Sequence, residues 1–312
     1  MRIGKESSYG TLASNLNTHI RIISESLKYN PGLTYHRTVE GGRLLQTKQL
    51  GKANVTGSID LYPVYDKGLG ELLLACFGTA TSSLVSGSTT TYRHVFTPKM
   101  SIKDSPWPSY SLEVGLDDVV AKQILGAVVE SLAFDVEAGD FLGVTAEVYA
   151  AREQKAPLYT GTLEYSTLNY IHSADVATQT IDGSEVKLEM FSLEVKNNFP
   201  EGYKFGSRYP QEIDVGPLEV SGELAIRFLT DTHFDDFLSS SEQSLVLKFE
   251  GPETESGYRY QLQFELPRIV YDAGDANINE QDRLVQNISF TALEHSSEGL
   301  IKITLQNKQP SY

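Results

Sequence analysis

The sequence predicts a mainly β protein made of two tandem copies of one β-sandwich or barrel-like unit, each with a short flanking α-helix. Three observations predict it. Segments such as "YRYQLQFELP" (258–267) alternate apolar and polar residues with the period of a half-buried strand. Two glycine strands, "ANVTGSIDL" (53–61) and "LEVSGELAI" (218–226), share one order of apolar, hydroxyl and glycine residues, with Gly57 and Gly222 165 positions apart. An apolar helical face follows each glycine strand at that same spacing.

Taken in order, "SLKYNPG" (26–32) is matched by "SLEVKNNFPEG" (192–202), and Gly51 and Gly216 each stand six residues before a glycine-strand glycine. The first helix, in "GLGELLLACFG", places Leu69, Leu72, Leu73, Cys76 and Phe77 on one face; the second, in "THFDDFLSS", places Phe234, Phe237 and Leu238 at the positions of Leu69, Leu72 and Leu73. Downstream, "AVVESLAFDV" (127–136) is expected to correspond to "RLVQNISFTA" (283–292), and "GVTAEVYA" (143–150) to "GLIKITLQ" (299–306). The expected organisation is a first unit over 1–150, a connection with an inserted excursion over 151–184, and a second unit over 185–312. One polar and one buried face per sheet suits antiparallel sheets.

Composition narrows the function. The chain has 312 residues, a formal charge of −15 and one cysteine, Cys76. That charge argues against a surface that grips nucleic acid as a whole, because such binding needs lysine and arginine on phosphates. A lone cysteine excludes an internal disulfide framework. The first twenty residues hold no apolar signal core and no run is long enough to span a bilayer, so folding in a reducing cytoplasm is expected. No nucleophile elbow, phosphate loop or paired metal histidines occur. "DANINEQDRLVQ" starts like a calcium loop at Asp275, Asn277 and Asn279, but has Glu280 where the turn needs glycine and Gln286 where a bidentate glutamate belongs. Asp117–Asp118 read as a turn, Asp235–Asp236 as an outer helix face, and Trp107 as a loop anchor. No catalytic, cofactor or metal residue is expected.

The order of these segments resembles the tail tube proteins of bacteriophages with long, non-contractile tails. The likeness runs through "IGKESSYGT" (3–11), "VTGSIDL" with its helix, "YRHVFTP" (92–98), "PSYSLEVG" (108–115), "LGAVVESLAFDV" and the closing "ISFTALE" and "IKITLQN". The resemblance implies a structural virion protein, made in the host cytoplasm, whose rings stack into a hollow tail tube that conducts viral DNA. It further implies contact with other tail proteins at the tube ends (tape measure, terminator and distal tail proteins), DNA passing the lumen without specific binding, and no membrane or cofactor. With two copies per chain, three chains are expected to complete a pseudo-sixfold ring. Ring-to-ring contacts are expected from 33–50 and 199–215, with His36, Arg37, Glu40, Arg43, Lys204, Arg208 and Tyr209 as stacking residues. The alternative is a β-rich receptor- or carbohydrate-binding virion protein, for which 17 tyrosines speak and a single tryptophan speaks against.

Overall fold

The computed structural model describes residues 1–36, 45, 47–103, 105–274 and 284–312. Strands β1 (Arg2–Lys5), β2 (Thr18–His19), β3 (Ser24–Glu25) and β4 (Lys28–Asn30) lead into a separate hairpin, β5 (Leu33–His36) with β6 (Thr47–Leu50). Next come β7 (Asn54–Leu61), α1 (Leu69–Phe77), β8 (Gly78–Leu84), β9 (Tyr92–Pro98), β10 (Tyr110–Leu116), β11 (Val120–Glu137), β12 (Gly143–Ala150) and β13 (Arg152–Ala156). The rest comprises β14 (Val176–Ile181), β15 (Ser184–Glu185), β16 (Leu188–Lys196), β17 (Glu219–Arg227), α2 (Thr232–Ser239), β18 (Glu242–Glu255), β19 (Tyr258–Ala273), β20 (Val285–Ala292) and β21 (Lys302–Asn307). The chain is mainly β, as expected, and the described pairings are antiparallel.

One hydrogen-bonded path runs β8–β9–β21–β19–β20–β17–β16–β11–β12–β7, ending on β3 and β4. The long strands β11 and β19 each serve two sets of neighbours. The start of β11 pairs β10 and β13, and its later part pairs β12 and β16; β19 pairs β18 along its length, with β21 on its first part and β20 on its last. Alternation drives this: Tyr260, Leu262, Phe264 and Leu266 turn inward along β19 while Gln261, Gln263 and Glu265 lie between them. Phe264 sits at the centre, 4.9 Å from Phe134, 5.6 Å from Phe191 and 6.4 Å from Phe249, ring centroid to ring centroid. These rings come from β11, β16, β18 and β19, so one core joins the two halves of the chain.

The two glycine strands occupy matching places. Lys28 faces Thr56, Tyr29 faces Val55 and Asn30 faces Asn54. Likewise Glu194 faces Ser221, Val195 faces Val220 and Lys196 faces Glu219. On the far side Gly57 faces Val148 and Gly222 faces Phe290. Both glycines answer to a close approach. A Cβ on Gly57 would stand 2.5 Å from the Ser26 carbonyl oxygen, where φ is also +149°, and one on Gly222 would stand 2.5 Å from Cζ of Phe290.

Further along, the expected correspondence shifts by one strand. β20 lies on its glycine strand as β12, not β11, lies on β7. β11 instead takes the place of β19, with the same irregularities: bulges at Val129/Ser131 and Tyr271/Ala273 toward one neighbour, and at Tyr110/Leu112 and Gln243/Leu245 toward the other. β21 accordingly sits where β13 does, rather than where β12 does. Residues 151–184 are more than a connection, since they supply β13 and β14; β14 lies on β18 as β1 lies on β10. The helices also differ. Every α1 residue except Glu71 is buried, whereas α2 buries none. The β8–β9 hairpin, the Trp107 loop and Tyr312 crowd α1, with Trp107 Nε1 donating to the Ala75 carbonyl at 2.9 Å.

Candidate functional site

Both long connections leave the sheet at the same end. The β4-to-β7 segment carries the β5–β6 hairpin, with Leu33, Tyr35 and Leu50 exposed. The β16-to-β17 segment, 199–215, leaves beside it, because Asn30 pairs Asn54 just as Lys196 pairs Glu219. Their bases are bound together. The Arg208 guanidinium donates to the Gly51 carbonyl through Nε (3.2 Å) and to the Pro31 carbonyl through Nη2 (2.7 Å). Ala53 N–H donates to the Arg208 carbonyl at 2.7 Å, and Tyr203 Oη donates to the Ala53 carbonyl at 3.3 Å. Lys52 pairs with Glu201, which raises the lysine pKa, and its ammonium stands 4.8 Å from the Tyr203 ring. The Tyr209 and Tyr29 hydroxyls meet at 3.4 Å.

The sequence-selected residues therefore separate into groups. Arg208 and Tyr209 face the neighbouring segment and tie the two loops. Lys204 lies on the exposed crown, paired with Glu212 of its own loop, and His36 is exposed at the end of β5. Arg37, Glu40 and Arg43 lie outside the described residues, as do Asp275, Asn277, Asn279 and Glu280. A residue that sequence reasoning passed over is Phe205, fully exposed between Lys204 and Gly206 at the tip. An exposed phenylalanine on a braced loop is costly to leave in water, about 1.5–3 kcal/mol against burial. The signal was its setting between Tyr203 and Tyr209 in a loop rich in glycine and charge.

The opposite end is built differently. It lies one length of β16 away, about 30 Å at ~3.3 Å per residue. There Phe141 meets Tyr62 at a tilt (5.7 Å) and Tyr170 (6.2 Å) and His172 (5.0 Å) edge to face, while Tyr62 and Phe141 keep an exposed face. Beside them is a largely apolar hollow of about 310 Å³, lined by Val136, Gly139, His172, Leu188, Met190 and Phe191. Glu137 and Glu189 also border it.

Neither Cys76 nor His94 is placed as a reactive group. No group of three His, Cys, Asp or Glu suited to a metal ion occurs among the described residues. Cys76 is buried, and burial pushes its thiol up to about 12, the opposite of an activated nucleophile. His94 lies between Ser82 Oγ (2.7 Å) and Asn307 Oδ1 (3.1 Å), but it is fully buried, and burial lowers its pKa. Asn307 in turn donates to the Tyr65 carbonyl (2.9 Å) and the Tyr312 hydroxyl (2.7 Å), so this group knits β8, β9, β21 and the C-terminal residues together. No described helix is long and apolar enough to cross a membrane.

Comparison with known proteins agrees with a surface built for assembly. A search of curated proteins finds no match. The family model described as phage tail tube protein matches residues 1–292, nearly the whole chain, and does not favour a receptor- or carbohydrate-binding role. A tube has two faces per ring and edges between neighbours, and this chain offers paired loops at one end, an aromatic hollow at the other and a sheet path that ends, among the described residues, on β8 and on β3 and β4. The chain belongs to the phage tail tube protein family and is a structural component of the virion tail.

Proposed function

We propose that three copies of this chain close a pseudo-sixfold ring, and that rings stack head to tail into the tube of a long, non-contractile tail. The observation that carries this reading is the matched register of the two halves. Each half brings one glycine strand, one preceding edge and one following helix, so three chains bring six such units. The shared bulges support an internal duplication whose second copy starts at β14. The halves have diverged, with the β8–β9 hairpin following α1 and α2 followed directly by β18, so the symmetry is threefold.

Stacking is assigned to the two connections at the loop end. His36, Arg37, Glu40, Arg43, Lys204 and Phe205 contact the next ring, while Arg208 and Tyr209 hold the loops in shape. The surface that receives them is the opposite end, around Phe141 and the neighbouring hollow. A net charge of −15 favours passage of DNA without adhesion, because like charges repel and no lysine-rich patch is needed. The role is structural and non-enzymatic, and tape measure, terminator and distal tail proteins are the partners at the tube ends. Negative-stain microscopy of the purified protein, with native mass measurement of rings, tests the reading. Hollow tubes and rings of three chains are expected; rings of six chains, or a protein that stays monomeric at high concentration, would refute it.

A further inference from the structure

The two ends of β16 carry a projection and a recess of matching character. At one end the 199–215 loop closes into a tight knob. Tyr203 bridges Pro210, and Gln211 N–H donates to the Gly202 carbonyl at 2.8 Å. Ser207 N–H donates to the Lys204 carbonyl at 3.3 Å, across a turn in which Gly206 has a φ of +89°. Gln211 Nε2 braces the turn from below by donating to Ser207 Oγ at 2.9 Å. Phe205 takes the second position of this turn, with its ring fully in solvent. The knob is therefore ordered before any partner arrives, which lowers the entropy lost on docking. At the other end lies the hollow of about 310 Å³. Its floor is Val136, Phe191 and Leu247, all buried, and Leu188 and Met190 are half-buried walls. Its exposed lining residues, Glu137, Ala138, Gly139 and Ala174, belong to the last residue of β11 and to the turns beside it, so the mouth opens at the end of the sheet.

We propose that Phe205 of one chain seats in the hollow of a second copy in the next ring. This rests on the stacking reading and names the contact within it. A cavity of about 150 Å³ accepts a benzene molecule, so the hollow holds the phenylalanine ring with room for part of the Lys204 stem. The ring does not reach the hollow of its own chain, because the 9 residues of β16 stand between them, about 30 Å at ~3.3 Å per residue. A contact between opposite ends of one strand is heterologous, and repeating it adds copies in one direction. That is the geometry of a stack, not of an isolated pair.

Charge favours the same occupant. Glu137 and Glu189 border the hollow, and Asp140 and Asp175 stand in the turns at its mouth. Lys187 and Arg227 are the bases beside them, with Arg227 3.9 Å from Glu189. Acids therefore outnumber bases at this end, and Lys204 arrives there next to Phe205. Its partner within the knob, Glu212, is exposed like itself, and such pairs hold a lysine weakly, so Lys204 is able to turn toward the acidic rim. The hollow also depends on both halves of the chain: β11 comes from the first, and β14, β16 and β18 from the second. Each chain thus offers one such seat at its internal junction, and a ring of three chains offers three.

The test mixes two variants. Phe205→Ala removes the knob and keeps the hollow, whereas Ala174→Trp fills the mouth of the hollow and keeps the knob. Both positions are exposed, so each chain should retain its native circular dichroism. Alone, each should form rings but need about ten times the native concentration to form tubes. Mixed as preformed rings at the native concentration, they should give ring pairs and nothing longer, because one knob meets one open hollow and no further junction is left. Electron microscopy and sedimentation read both results. Tubes from Ala174→Trp alone at the native concentration overturn the hollow as the seat. Tubes from Phe205→Ala alone give the seat to another segment, such as the β5–β6 hairpin with Tyr35, and overturn the proposal too. A mixture that stays as single rings, or that grows into long tubes, also overturns it. Should Ala174→Trp not fold, Ala138→Trp blocks the same mouth and decides. In all these cases native tubes leave the stacking reading intact, while a native chain that forms no tubes overturns both.

Discussion

Glu6, inside the "IGKESSYGT" segment, is a carboxylate buried to 8% exposure with four donors around it. Oε2 accepts from Gly10 N–H at 2.8 Å and Ser109 Oγ at 2.7 Å; Oε1 accepts from Ser111 Oγ and Gly126 N–H, both at 2.8 Å. It thus pins the turn after β1 to β10 and β11. In Glu6→Ala the two serine hydroxyls can rotate toward other acceptors, but the Gly10 and Gly126 N–H groups are stranded. An unmade buried hydrogen bond costs about 1–3 kcal/mol, and bonds to a charge are the stronger ones, so the variant should lose about 3–6 kcal/mol of stability. Glu6→Gln keeps one acceptor oxygen but turns an amide NH₂ toward donors, and should lose about half as much. Equilibrium urea unfolding followed by Trp107 fluorescence measures both, since Trp107 is buried near β10. A Glu6→Ala loss below about 1 kcal/mol would refute the role given to this carboxylate.

Phe205→Ala should leave monomer stability within about 0.5 kcal/mol, as for other exposed positions, yet raise the concentration at which tubes form by about tenfold; sedimentation of tubes measures it, and unchanged assembly would remove Phe205 from the ring contact. Glu255 anchors the 88–91 turn by accepting from Ser88, Thr89, Thr90 and Thr91, which lowers its pKa to about 2. Because the folded value is the lower one, this anchoring is fully present above the ordinary carboxylate range and is lost as pH falls toward 2. Amide protection at Thr89 and Thr90 should decline over that window, and Glu255→Gln should show weak protection at every pH. Cys76, with its thiol pushed up to about 12, should resist aromatic disulfide reagents at pH 8 until the protein is unfolded; prompt native reactivity would contradict its burial.

The upstream alignment of the halves was legible because it rests on features that strands do not share by default: a glycine forced by a close approach, and a helix face at fixed distance from it. The downstream alignment failed because period-2 alternation is common to every half-buried strand. "AVVESLAFDV" fits β20 as well as β12 does, and only the ladder, with its bulges, separates them. β14, "VATQTI", escaped notice because a bulge between Val176 and Thr178 breaks its alternation and Ile181 is its one buried residue; its place is set by pairing with β18. The loops at the assembly end could be located by their position before the glycine strands. Which of their side chains face outward could not, since Arg208 is turned inward by carbonyls of a segment more than a hundred and fifty residues away in sequence.

β21 is the strand that joins β9, from the first half, to β19, from the second. On the ribosome β9 is complete roughly two hundred residues before β21 is made, an interval of about 10–40 seconds at ~5–20 residues per second. During that interval the edge of β9 that β21 will pair has no partner, and α1 lacks the Tyr312 ring that packs on Gly70. The N-terminal half is therefore not a finished domain that waits for a second one; it is half of a clasp. Nascent chains on one polysome carry complementary open edges, so exchange between neighbours competes with closure on the same chain. Timely delivery of the last strand, more than the strength of any single contact, then decides whether a subunit or a tangle leaves the ribosome.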